Sequence, residues 1–561
     1  MTHRSNRRRP LSALVRPSAA ALAAVLAATA CSEAPPGSGP ESGSESAGGE
    51  SGAPHQAAGS VEYYDTLYAD DDRPRPQDAV LGYHYSPEEP SVRVDLLAAD
   101  RHEGHLVVQV RLSRDPADGD HAVHPFGMLQ NEFGVGSSRR YPRGRASGVA
   151  VLDVQNRALQ LPYRIPSEQA HDVDCLCSNN DELDSFLDPG EEMTFYTVHP
   201  APAGTDTATV FTDAAPPFVD VPVTDRAPSA PEGQTLRMPE DVPAAEPDTL
   251  AWGTAVEAAD ASQAVRTDAE STSIDLSADV LFATNESEPS AEAEEVLART
   301  AEQIDASGAA EVTVAGHTDD TGNDAINDPL SRERAENVTS ALEDLVAGDV
   351  TFTAEGFGSD EPLYDNDTEE GRRLNRRVTI SFTGQAQAPP GGSAGPSPTA
   401  APSPGASEAS GEARPAREFE QEYNLLGSTG GDMGTARLRL LDLRRLDGGA
   451  ALLLYEFTGV DSASTIDFLD TAPLNEDGGT WTSGVALTDP ATGLRHRPLR
   501  LEQEGADRPD LLSTRIVNPL HNREAGESAV LFTVVPLPES APAATVEAGE
   551  FPPFEDVAVA D

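Results

Sequence analysis

Gly316-His317-Thr318-Asp319, followed by Asn327-Asp328-Pro329-Leu330-Ser331-Arg332-Glu333-Arg334-Ala335, decides the fold of the middle of this 561-residue chain. Val312 to Ala315 is a short apolar strand that runs into a loop from Gly316 to Gly322. Asp328 is placed to cap a helix over Leu330 to Val346, with Pro329 in its first turn, where a missing N–H costs nothing. Leu330, Val338, Leu342 and Leu345 trace the apolar stripe of that helix. Upstream, Ile274 to Leu276 and Val280 to Phe282 read as strand pieces. Pro289 to Ile304 has helical spacing, with Ala293, Val296, Leu297, Ala301 and Ile304 on one side. Downstream, Val350 to Ala354 and Val378 to Phe382 read as strands. The order strand–helix–strand–helix–strand–strand over residues 272–383 predicts an α+β sandwich of helices on one sheet.

Arg334 breaks the pattern. It lies four residues from both Leu330 and Val338, on the stripe or its edge. A guanidinium against a packed surface needs a carboxylate partner, or desolvation costs several kcal/mol. Asp319, on the loop that can fold back over this part of the helix, is the obvious acid. Arg376 and Arg377 follow in Asn366-Asp367-Thr368-Glu369-Glu370-Gly371-Arg372-Arg373-Leu374-Asn375-Arg376-Arg377-Val378. An acid and several arginines together can hold an ammonium and a carboxylate on one carbon, because the planar guanidinium binds carboxylate through two hydrogen bonds. Two plainer readings compete: an internal Asp319–Arg334 salt bridge, and arginines that merely solvate the end of a strand.

The segment resembles the OmpA C-terminal-like peptidoglycan-binding family. The matching residues are Gly316-His317-Thr318-Asp319, Gly322, Asn327, Leu330-Ser331, Arg334-Ala335, Val338, Leu342, Gly356, Pro362, Asn366, Thr368, Gly371-Arg372 and Asn375-Arg376-Arg377-Val378. The resemblance implies noncovalent binding of the diaminopimelate side chain of wall peptides. By position, Asp319 would take the ammonium and Arg334 the carboxylate. Asn327 and Arg376 would line the site, and His317 and Arg377 would support it. One departure stands out: members often carry an acid facing the ligand where this chain has Ala283, so the ammonium contact would rest on Asp319.

The flanks, 61–225 and 418–561, read as copies of each other. Ser147-Gly148-Val149-Ala150 matches Ser483-Gly484-Val485-Ala486. Gly190-Glu191 with Phe195-Tyr196-Thr197-Val198 matches Gly526-Glu527 with Leu531-Phe532-Thr533-Val534. Pro216-Pro217-Phe218-Val219-Asp220-Val221 matches Pro552-Pro553-Phe554-Glu555-Asp556-Val557. All three share a spacing of 336 residues, and Leu96-Leu97 and Gly104 match Leu440-Leu441 and Gly448 at 344. The extra residues of the first copy fall near Arg139-Arg140. Short β-rich runs between Gly, Pro and Asp turns predict an all-β sandwich in each flank. Neither carries a nucleophile elbow, a phosphate loop or a metal motif, and nothing names their protein partner; adhesion or sensing is the reading left to them.

Residues 32–60, 226–271 and 384–417 are polar and rich in Pro, Gly, Ser, Ala or acids, and are expected as disordered linkers. Arg4 to Arg16 and the apolar run Ser18 to Ala30 form a signal peptide over 1–31. Cys31 resembles a lipobox cysteine, which implies lipidation, a membrane anchor and, in a cell with two membranes, the outer one. The chain has no lysine and a net charge of -56. That excludes nucleic acid, which is bound through clustered positive charge. Cys175 and Cys177 can pair with each other in an exported chain, or form half a metal site, although no histidine pair lies at ligand spacing nearby. No cofactor is expected. No pair of carboxylates stands out for acid–base work, so the chain reads as a binding protein, with a wall hydrolase as the enzymatic alternative.

Overall fold

The computed structural model describes residues 76–80, 91–114, 116, 145–166, 174–258, 261–384, 413–460, 484–502, 510–513 and 528–560, with short interruptions inside these spans. The signal segment, Cys31, the 32–60 tether and most of 384–417 lie outside them. So do Arg139-Arg140, Gly448, Ser483 and Gly526-Glu527.

In the central module the strand Ser271–Ser277 pairs antiparallel with Arg377–Thr383. The latter pairs with Glu311–Gly316, which runs parallel to Thr351–Gly356. Helices Ala293–Ser307 and Asp324–Leu345 pack on this sheet around Ile274, Leu276, Val312, Val314 and Ile380. The expected α+β layering is present, with local differences. Val280 to Phe282 is not a strand: Ala278–Leu281 forms one helical turn, since Ser271–Ser277 has already used its pairing partner. A short helix, Glu369–Asn375, precedes the last strand. The long helix starts at Asp324 rather than at the expected Asp328 cap, so Pro329 is internal. Asn323 opens the helix with its carbonyl, which accepts from Ile326 N and Asn327 N. The turn before Pro329 thus closes without needing the proline's absent donor.

Gly316 sets how close that helix can lie. A Cβ here would meet Ser331 O at 2.0 Å. Gly316→Ala is therefore expected to lower stability by about 3 kcal/mol through forced separation of helix and strand. Thermal unfolding of the purified variant checks it.

Each flank is two packed sheets. In the first, Pro76–Val80, Ser91–His102, His105–Ser113 and Glu192–Pro200 form one sheet. The second sheet comprises Val149–Asp153, Ala158–Ile165, Thr207–Thr212 and Ala215–Pro222. Val94, Leu96, Val108, Val151, Phe195, Val210 and Phe218 fill the space between them. The C-terminal flank has the same four-strand order, from Glu420–Leu426 through Asp432–Leu446 and Ala450–Gly459 to Ser528–Pro536. Local irregularities coincide at the spacings read from the sequence. A register shift falls between Leu96 and Ala98 and again between Leu440 and Asp442. Asp220 and Asp556 both have positive φ, 51° and 57°. Isolated bridges join Cys177 to Thr197 and Ser513 to Thr533.

The largest correction concerns 226–271, expected as a disordered linker. Residues 226–245 cross the first flank as a strap. Leu236, Met238, Val242 and Ala245 cover Val107, Tyr163, Tyr196 and Val198, and Tyr196 donates its hydroxyl to Thr235 O at 2.8 Å. Glu246–Glu257 is then a strand with partners in both flanks and in the hairpin that leads into the module. It pairs with Ala158–Ile165 of the first flank, with Arg500–Leu501 and Arg495–His496 of the second, and with Gln263–Thr267 of the module. Pro247 is tolerated because it sits at the register shift between Glu246 and Asp248. Gly253 marks the change of partner, where a Cβ would lie 2.4 Å from Thr267 O. Apolar burial at Leu250 and Trp252, plus ladder bonds on both edges, offsets the chain entropy that composition alone suggests would win.

The flanks also pack directly on each other. Ala150, Leu152, Phe211 and Val219 of the first face Leu452, Leu454, Phe532 and Val534 of the second in one apolar cluster with Leu250 and Trp252. Val107, Tyr196 and Val198 stand in the first flank where Leu452, Phe532 and Val534 stand in the second. The strap therefore covers in one flank the face that the other flank buries against its neighbour. Among the described residues no helix is long and apolar enough to cross a membrane.

Candidate functional site

Three pieces of the module converge on Asp319. The strand Glu311–Gly316 delivers the loop, which is held by His317 N donating to Arg377 O and Thr318 N to Gly358 O. The helix Asp324–Leu345 presents Asn327, Ser331 and Arg334 on its buried face. The end of Glu369–Asn375 delivers Arg376.

Asp319 is buried. Its Oδ1 accepts from Thr321 N at 3.0 Å and from the Thr321 hydroxyl, and its Oδ2 accepts from Arg376 NH1 at 2.7 Å. Burial pushes this carboxyl up, but the hydrogen bonds from Thr321 and Arg376 together outweigh it and leave it below the ordinary carboxylate range. Asn327 fastens the loop to the helix through Nδ2, at 3.4 Å from Asp319 O and 3.3 Å from Thr321 O.

Arg334 lies on the apolar stripe, as its spacing predicts, and is buried. Its partner differs from the expectation. Among the described residues its guanidinium donates from Nε to Glu286 O at 3.1 Å and sits 4.9 Å from the centre of the Phe282 ring. The Asp319–Arg334 salt bridge is not formed. Asp319 pairs instead with Arg376, whose Nε and NH2 also grip Asp279 at 3.0 and 2.8 Å. Burial lowers the Arg334 pKa, and Asp279 opposes the shift.

Arg377 does not join this group. It opens the last strand, one residue beyond the bend at Arg376, and its side chain meets a different set of partners. It is buried, donates to Thr379 Oγ1 at 3.2 Å and Glu361 O at 3.2 Å, and lies 3.8 Å from Asp275. His317 is stacked on Phe357 with centroids 5.4 Å apart. Burial, then the neighbouring Arg377, pushes its pKa down to about 3, so it is neutral. Asn375 staples the second motif, accepting from Leu363 N and donating to Asn366 Oδ1. Ala283 is exposed and brings no acid. The residue missed in the sequence is Asp279. Its only signal was an acid just beyond the strand that pairs with Arg377, where Ser277 lies opposite that residue.

Away from the module, Cys175 and Cys177 are bonded to each other and buried. No group of three or more His, Cys, Asp or Glu suited to a metal ion occurs among the described residues.

The model of the OmpA family matches residues 281–376. YfiB of Escherichia coli is 32% identical over 114 residues, which are 20% of this chain and 70% of that protein. The chain belongs to the OmpA family. The outer-membrane lipoprotein YfiB of Pseudomonas aeruginosa matches this OmpA-family module at 32% over 105 residues, 19% of this chain and 62% of that one. The peptidoglycan-binding protein ArfA of Mycobacterium tuberculosis is 47% identical over 87 residues, 15% of this chain and 26% of that one. A solved structure, the cell wall anchor of the T6SS from Pseudomonas aeruginosa, is 31% identical. It covers 22% of this chain and 89% of its own, with a TM-score of 0.20. The chain spans less than a third of the length of several curated relatives it matches. These relatives match at most about a fifth of this chain.

Proposed function

We propose that this is an envelope protein whose OmpA-family module holds peptidoglycan noncovalently, without turning it over, by the zwitterionic end of the diaminopimelate side chain. The observation that carries the reading is Arg334. A buried guanidinium on an apolar helix face, engaged by a backbone carbonyl and an aromatic ring beside a separate Asp319–Arg376 pair, suits a carboxylate from outside. In this reading Arg334 takes the ligand carboxylate and Asp319 its ammonium. Asn327 and Arg376 hold the walls, while Arg377 supports the fold behind them. The similarity to ArfA, a peptidoglycan-binding protein, supports the wall as ligand, and the similarity to the outer-membrane lipoprotein YfiB supports an envelope location. Cys31, by its lipobox resemblance, would provide the anchor, and the two β flanks are read as copies of one domain.

The test is co-sedimentation of the full chain with purified peptidoglycan, beside Asp319→Ala and Arg334→Ala, each with its melting curve. Removing one partner of a desolvated charged hydrogen bond costs about 2–4 kcal/mol, so retention is expected to fall roughly 30-fold or more. Equal pelleting of all three folded proteins would refute the site. Soluble fragments released from the wall would point to a hydrolase.

A further inference from the structure

Resting on that reading of the site, the geometry points to Asp279 as a positioning residue that sets its preference for an ammonium-bearing ligand. Two structural ties fix Asp279 in place. Ser277 is opposite Arg377 in the sheet register, and Ala278 N donates to Arg376 O at 2.9 Å. The helical turn that follows therefore brings Asp279 against the Arg376 side chain. The carboxylate spans one edge of the guanidinium, Nε to Oδ1 at 3.0 Å and NH2 to Oδ2 at 2.8 Å. One NH2 hydrogen and both NH1 hydrogens remain, and NH1 alone reaches Asp319, at 2.7 Å.

This division matters for charge. Released from Asp279, the guanidinium would be free to turn its Nε/NH2 edge onto Asp319 and bind it through two hydrogen bonds, the geometry arginine and carboxylate prefer. Asp319 would then be closely neutralised and a poor acceptor for an ammonium. Asp279 opposes this by holding that edge and fixing the plane of the guanidinium, so that a single NH1 contact reaches Asp319. It also balances the count: Arg334 and Arg376 are matched by Asp279 and Asp319, so the empty site is neutral, and a bound zwitterion leaves it so. Ala283 contributes no acid, and Asp279 supplies the second negative charge from the helical turn Ala278–Leu281. The side chain is half-exposed, so it lies at the rim, where a ligand passes it.

Isothermal titration of the full chain tests this with two probes, free diaminopimelate and pimelate, which carries the same carboxylates and no ammonium. For Asp279→Ala, diaminopimelate affinity is expected to fall about tenfold while pimelate binding holds or tightens. Asp279→Glu is expected to recover at least half of the loss on a logarithmic scale. Equal affinity of Asp279→Ala and the native chain for diaminopimelate would overturn the inference. So would an equal loss for both probes, which a merely structural role predicts. Either result leaves the wall-binding reading intact if Arg334→Ala abolishes binding. A native chain that binds no diaminopimelate would overturn that reading and this one together.

Discussion

Lowering the pH from about 7 to about 5 is expected to destabilise both flanks and the central module, because each holds a buried, neutral histidine among its described residues. His199 is fully buried in the first flank, with Thr197 Oγ1 at 2.7 Å and Gln160 O at 3.1 Å, and burial pushes its pKa down to about 4. His496 in the second flank is also lowered to about 4 by burial, and neither ring nitrogen has a hydrogen-bond partner among the described residues. His317 in the module lies at about 3. A histidine with a depressed folded pKa binds protons more readily when unfolded. Its contribution is complete above the unfolded value of 6.5 and is lost as pH falls toward the folded value. At pH 5 this amounts to about 2 kcal/mol per histidine. The depressed carboxylates, Asp275 and Asp319, keep their stabilising ionised form until below 3.8, so they do not mask the histidine window.

The measurement is urea unfolding at several pH values. The correspondence between the flanks supplies the controls. Val151 faces Gln160 in the first flank, and Leu487 faces His496 in the second. His496→Gln therefore installs what the other flank already accommodates. His199→Val does the same in reverse, since Val535 holds the matching place. Each substitution is expected to remove about a third of the pH dependence. A slope unchanged in both variants would mean that other groups carry the acid response.

These controls show where the sequence was readable. The module was legible because its signals are local or regularly spaced. The stripe Leu330, Val338, Leu342 repeats at helical intervals, and matched segments recur at one spacing. Arg334 could be placed on the buried face for the same reason. Its neighbour could not. Loop proximity favoured Asp319, whereas the observed partner of Asp319 is Arg376, brought in over 57 positions at the end of the helix Glu369–Asn375. Asp279 was invisible because its role depends on the register of two strands separated by nearly the whole module.

The segment 226–271 was misread for a related reason. Its Pro, Ala and acidic content makes it polar as a whole, but Leu250 and Trp252 alternate with polar or small residues at the period of a strand. The surfaces that reward that alternation come from residues roughly 90 positions before it and 250 after it, so no local window contains them.

Phe532→Ala is expected to cost about 3–5 kcal/mol, the loss associated with emptying a buried aromatic site. Phe532 packs on Phe211 with ring centroids 5.7 Å apart, within the cluster that joins the two flanks. Phe211→Ala should cost a similar amount. Because each ring is part of the other's surroundings, the double variant should be less unstable than the two losses added, by about 0.5–1.5 kcal/mol. Additivity within error would mean that the flanks are stabilised separately and merely touch. Coupling would mean that the contact between the flanks contributes to stability, and the strand Glu246–Glu257 extends the consequence to the module. Leu250 and Trp252 belong to the same cluster, while the far half of their strand carries Val256 and Glu257 into the module's hairpin. Glu257 there accepts from Arg495 and Arg497 of the second flank at 3.1–3.3 Å. A loosened flank interface should therefore raise amide exchange in Gln263–Thr267 without altering exchange around Asp319, which is held by Thr321, Asn327 and Arg376 of the module itself. Faster exchange at both places would show that the proposed wall site depends on the flanks for its shape; faster exchange only at the hairpin would show that the module holds its own site.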